Sequence, residues 1–156
     1  MKKFSLNLII TSLLFLSLSC GENKYETPTN SKSDKLIEIK NQWMSPAAKN
    51  RNSAVYFKIR NNSENTDTLY EAVSELAQIT ELHETYEISE DLLGMKTIKQ
   101  VVIPANSTFE FSPAGFHVML VGLLNHLPIN SSGEITLKFK KAGDVTISAV
   151  SKISQD

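Results

Sequence analysis

Residues 134–149 read Glu134-Ile135-Thr136-Leu137-Lys138-Phe139-Lys140-Lys141-Ala142-Gly143-Asp144-Val145-Thr146-Ile147-Ser148-Ala149. Ile135, Leu137 and Phe139 alternate with Glu, Thr and Lys, and Val145, Ile147 and Ala149 alternate likewise beyond the Gly143-Asp144 turn. A period of two puts apolar side chains on one face of an extended strand, and a Gly-Asp pair supplies the reversal between two such strands. The same pattern recurs outward along the chain. Ile37 and Ile39 alternate with polar neighbours, as do Val55, Phe57 and Ile59 before the Asn61-Asn62-Ser63 turn. Leu69, Val73, Ile79 and Leu82 mark a further section, and Phe109 and Phe111 share one side of a short run. Roughly eight or nine short runs separated by Asn, Gly, Pro and Ser clusters predict an all-β antiparallel sandwich or barrel. Leu76 to Glu87 also fits a helical spacing through Leu76, Ile79 and His83, but its Ile, Thr and Tyr content favours a strand.

Composition sets the class. The chain has 156 residues, 41% hydrophobic and 21% charged, which is a globular balance with enough apolar material for one sandwich-sized core. Net charge is −1 and no basic stripe stands out, so nucleic-acid binding has no support. The N-terminus reads differently from the rest. Lys2 and Lys3 precede a short apolar run from Leu6 to Leu18, too short for a stable membrane span, and Cys20 follows. Residues 1–19 are therefore expected to be a signal peptide. Cys20, the only cysteine, has no internal disulfide partner, and Leu16-Ser17-Leu18-Ser19-Cys20 resembles a bacterial lipobox, with Ser17 in the place where leucine is commonest. Residues 20–33 are expected to be a lipidated cysteine and flexible tether, and residues 34–156 the folded domain. The expected location is the periplasm, lipid-anchored to a bacterial membrane.

Chemistry concentrates in four side chains. The chain has three histidines and four methionines, one of them the initiator. His83, Met95, His117 and Met119 form the candidate metal ligands. His117 and Met119 are separated by one residue, so a strand points both to the same face, with Val118 and Leu120 on the other. Ser112-Pro113-Ala114-Gly115 supplies the turn before that strand, placing the ligands at a sandwich end. Met95 follows Gly94 in a stretch that reads as loop. Imidazole nitrogen with thioether sulfur, and neither thiolate nor carboxylate, favours copper(I) over zinc, magnesium or calcium, because thioether sulfur is too soft to hold a hard cation against water.

The spacing His-x11-Met-x21-His-x-Met resembles the signature of the periplasmic copper chaperones called PCuAC. The flanks agree: Glu81-Leu82-His83-Glu84, Ile103-Pro104-Ala105, the run from Ser112 to Leu123, Leu137-Lys138-Phe139 and Ala142-Gly143. The resemblance covers most of Lys35 to Ile153. It implies a cupredoxin-like β-sandwich and a non-enzymatic carrier of one copper(I), delivering the ion to a partner such as the CuA centre of cytochrome c oxidase or an assembly factor of that oxidase. Two departures stand out. Many relatives place methionine directly after the first histidine, where this chain has Glu84, and the His- and Met-rich tail of some relatives has no counterpart in Ser151 to Asp156. The second departure implies one copper rather than two.

Other readings compete. A blue-copper electron carrier needs a cysteine thiolate in the domain, and Cys20 lies outside it. A copper-scavenging or resistance lipoprotein would use the same four ligands without delivery. A metal-free sandwich binding a protein or glycan would use none of them. Of the remaining residues, Met44 is expected in the core, Trp43 as a buried aromatic of the first sheet and His126 on the surface. Glu81, Glu84 and Glu87 are expected on a solvated rim, with Glu84 the acceptor behind a metal-binding histidine.

Overall fold

The computed structural model describes residues 36–153. Every regular element in them is a strand: β1 (Ile37–Met44), β2 (Ser53–Asn61), β3 (Asp67–Val73), β4 (Ala77–Ser89), β5 (Leu92–Thr97), β6 (Val101–Ile103), β7 (Thr108–Phe111), β8 (Phe116–Leu123), β9 (Ser132–Phe139) and β10 (Gly143–Ser151). The signal-peptide and lipidation readings at residues 1–33 lie outside the described residues. The strand reading of Leu76 to Glu87 holds, since β4 occupies nearly all of it.

The alternation at residues 134–149 becomes the β9–β10 hairpin, with Ile135 opposite Ile147 and Leu137 opposite Val145. Gly143 opens β10 with φ at 76°, in the left-handed region that a side chain at this turn would strain. Asp67, itself buried, accepts the backbone N–H groups of Lys141 and Ala142 at 2.9 Å and so ties this turn to β3.

The strands hydrogen-bond in the order β5-β4-β8-β7-β2-β1-β10-β9-β3-β6, with β8 also meeting β2. Pairing is antiparallel except for β1 with β10 and the single β7–β8 pair at Phe111 and Phe116, which are parallel. A sandwich results because the sheet closes over one core. Val55, Phe57, Ile59, Leu82, Val118 and Leu120 join Leu69, Ile103, Ile135, Leu137, Phe139 and Ile147 in a single apolar cluster. Met44 is wholly buried in it, as expected.

Trp43 is buried too, but elsewhere. Asn41 sits at φ 54° where the β1–β2 register shifts between Lys40 and Trp43. This bulge reverses the parity of the strand: Ile37 and Ile39 face the core before it, and Met44 after it. Trp43 is thereby turned to the outer face, where it forms a second, small cluster with Ala54 and Tyr56. That cluster borders the candidate ligands.

Candidate metal centre

The centre is built on the ribbon β5-β4-β8, and register decides which side chains share its outer face. His83 on β4 pairs directly with His117 on β8, and Glu81 pairs with Met119. On the other side of β4, His83 faces Thr97 and Thr85 faces Met95. Directly opposed residues point to the same side of a sheet, so all four predicted ligands emerge on one face. Leu82, Val118 and Leu120 emerge on the other and fill the core. The candidate ligands therefore share the outer face of this ribbon. Met95 is a strand residue, not a loop residue, and at 58% exposure its side chain is free to swing across the face.

The two imidazoles stand 5.6 Å apart between ring centroids. Each is held at one nitrogen and bare at the other. His117 donates Nδ1–H to the Gly115 carbonyl at 3.1 Å, an oxygen that also accepts the Thr85 N–H. Its Nε2 is buried with no hydrogen-bond partner. His83 Nε2 lies 2.8 Å from a carboxylate oxygen of Glu81 and 3.3 Å from Thr97 Oγ1. Its Nδ1 is likewise buried and unpartnered. A neutral imidazole that donates from one nitrogen carries a lone pair on the other. Buried polar atoms are ordinarily satisfied, because leaving one bare costs roughly 1–3 kcal/mol. Two bare lone pairs on facing rings, with thioethers beside them, fit a soft cation that accepts electron pairs.

The surroundings favour the neutral form of His117. Trp43 and Tyr56 pack at 4.5 Å between centroids, and Tyr56 stands 6.2 Å from His117. Burial lowers the His117 pKa below its ordinary 6.5; the bond to Gly115 opposes that shift, and the neighbouring His83 adds to it. Neutral imidazole is the form that binds metal. Among the described residues no three His, Cys, Asp or Glu side chains gather as a metal site.

The carboxylate beside His83 departs from the sequence expectation. Glu84 projects from the opposite face, where it pairs with Lys96 at 3.0 Å, and Glu81 is the carboxylate that reaches His83. Strand parity carried the signal: Glu81 is two residues from His83, and Glu84 one. Tyr56 and Trp43 wall the site: the β1 bulge decides the face of Trp43, and pairing of β2 with β8 brings Tyr56 beside His117. His126 is exposed and remote in register from the ligands, as expected.

Fold and site together define an all-strand sandwich with a cluster of imidazole and thioether groups on one sheet face. Residues 37–151 match the family model described as "Putative lipoprotein LpqE-like", and the chain belongs to that LpqE-like family. It is 29% identical over 107 residues to "Putative lipoprotein Lxx21020" of Leifsonia xyli subsp. xyli. That match covers 66% of this chain and spans 61% of the length of the Leifsonia protein. Among solved structures, the copper-bound PCuAC domain from PmoF2 is similar at a TM-score of 0.64 and 25% identity, covering 76% of this chain and 94% of that one. The solution structure of CuI-DR1885 from Deinococcus radiodurans is similar at 0.60 and 28%, covering 80% and 85%. The fold is that of the PCuAC domains.

Proposed function

We propose that this protein is an exported, lipid-anchored copper(I) carrier that takes one ion through His83, Met95, His117 and Met119 and releases it to a partner. The observation that carries this reading is the pair of buried, unpartnered nitrogens, His83 Nδ1 and His117 Nε2, on rings whose other nitrogens are already engaged. The copper named in the PmoF2 and DR1885 structures supports the choice of metal, and the lipoprotein naming of the family supports anchoring at Cys20.

All four donors are neutral, so the loaded site carries the charge of the ion and has no thiolate to trap it. Met95 lies at the open side of the ribbon and His117 at the buried side. An incoming acceptor therefore meets the exposed thioether first, and ligand exchange runs from the surface inward. The buried aromatic wall keeps water from competing at His117. This arrangement serves transfer, and the proposed recipient is the CuA centre of a cytochrome c oxidase or one of its assembly factors.

Competition against a copper(I) chelator tests the site. Wild type should bind one equivalent, and His83→Ala and Met119→Leu should bind far more weakly. Unchanged affinity in both variants would end the carrier reading. Mixing the loaded protein with an apo-CuA fragment then separates delivery from scavenging: copper that never moves favours a scavenging or resistance role on the same ligands.

A further inference from the structure

We propose that Glu81 is a positioning residue of this centre: its carboxylate accepts the Nε2–H of His83 and so selects Nδ1 as the nitrogen that meets the ion. The inference rests on the metal-binding reading above and adds to it which atom of each ring is used. It gives the two histidines different modes, Nδ1 on His83 and Nε2 on His117.

The geometry follows from the sheet. Glu81 and His83 are two residues apart on β4, so both stand on the outer face, and Glu81 Oε2 approaches His83 Nε2 to 2.8 Å. Thr97, directly across from His83 on β5, brings its hydroxyl to 3.3 Å from the same nitrogen. Two oxygens on one side of the ring make that side the outward, engaged one. The His83 side chain is only 14% exposed, and its Nδ1 is buried against the centre with no partner. On His117 the Gly115 carbonyl does the corresponding work at Nδ1, leaving Nε2. A carboxylate behind a ligating imidazole orients the ring and raises its basicity. Glu81 faces Met119 across the β4–β8 pair and would otherwise be placed to offer the ion a hard oxygen. Its engagement with His83 leaves the donor set to nitrogen and sulfur.

Silver(I) is a soft monovalent probe that keeps its oxidation state, and its direct coupling to nitrogen-15 identifies the ligating atom. In protein labelled at histidine, wild type should show silver coupling at His83 Nδ1 and His117 Nε2. Glu81→Gln, which retains a carbonyl acceptor, should keep both couplings and most of the copper(I) affinity. Glu81→Leu, which has no acceptor, should lose the exclusive Nδ1 coupling of His83 and weaken copper(I) binding about tenfold to a hundredfold. Coupling at His83 Nε2 in wild type overturns the Glu81 assignment while leaving the metal site standing. Identical couplings and affinity in Glu81→Leu also overturn it. Coupling at neither histidine overturns the metal site, and the assignment with it.

Discussion

Met119→Leu separates sulfur chemistry from packing more cleanly than any other substitution in the centre. Met119 is half-buried on β8, facing Glu81 on one side and the small Ala54 of β2 on the other. Leucine has nearly the same apolar volume, so the metal-free variant should lose less than about 1.5 kcal/mol. Binding to the folded state alone stabilises by RT ln(1 + [L]/Kd), so copper(I) buffered at 100 times the wild-type Kd adds about 2.7 kcal/mol. Even an outer contact of a metal ligand is worth up to ~100-fold in affinity, and a lost donor should cost at least that much. At the same buffered copper the variant then gains only about 0.4 kcal/mol. For a domain of this size, about 4 °C per kcal/mol turns these gains into melting-temperature rises of roughly 11 °C and 2 °C. The assay is thermal unfolding of both proteins with and without chelator-buffered copper(I). Equal copper-induced rises in the two proteins would refute Met119 as a ligand. A metal-free variant that melts far below wild type would refute its placement outside the main core.

Four further outcomes are expected. Copper affinity should weaken as pH falls through the histidine range, since both rings bind metal only when neutral; flat affinity between neutral and mildly acidic pH would count against two histidine donors. Without copper, the unfolded chain takes up the His117 proton near pH ~6.5 and the folded chain only at lower pH, because burial lowers the folded value. This group's contribution to stability is thus intact above about pH 6.5 and lost as pH falls through the lowered value; urea midpoints of wild type and His117→Gln should diverge there, and parallel curves would contradict the shift. Leu120→Ala, one residue from Met119 but wholly buried on the opposite face, should cost about 2–5 kcal/mol in thermal or urea unfolding and leave the copper-induced rise in place. At the N-terminus, fatty-acid labelling should tag wild type and spare Cys20→Ser, and equal labelling would remove the anchor.

The strands of this protein were legible because each apolar run alternates cleanly, as Ile135, Leu137 and Phe139 do before Gly143. Period two reports which face a residue takes within its own strand, and the His117–Met119 pair needed nothing more. The four candidate ligands were named from their chemistry and spacing, together with the resemblance that the spacing carries, and the strand pairings bring them to one face. What alternation leaves open is register between strands far apart in sequence. Pairing of β4 with β8 sets His83 across from His117, and pairing of β4 with β5 makes Met95 a strand residue beside Thr85. Local parity also fails at a bulge: Asn41 inserts one residue into β1 and sends Trp43 to the face of Tyr56 and His117. The contact of Glu81 with His83 was open to strand parity alone, since the two are two residues apart on β4 and Glu84 is nearer in sequence but on the opposite face. Composition, spacing and periodicity thus pointed to the candidate donors, the strands and the apolar core. Long-range pairing decided that the two rings meet, because His83 and His117 come from strands far apart in sequence, whereas the bonds to Glu81 and to the Gly115 carbonyl each span only two residues.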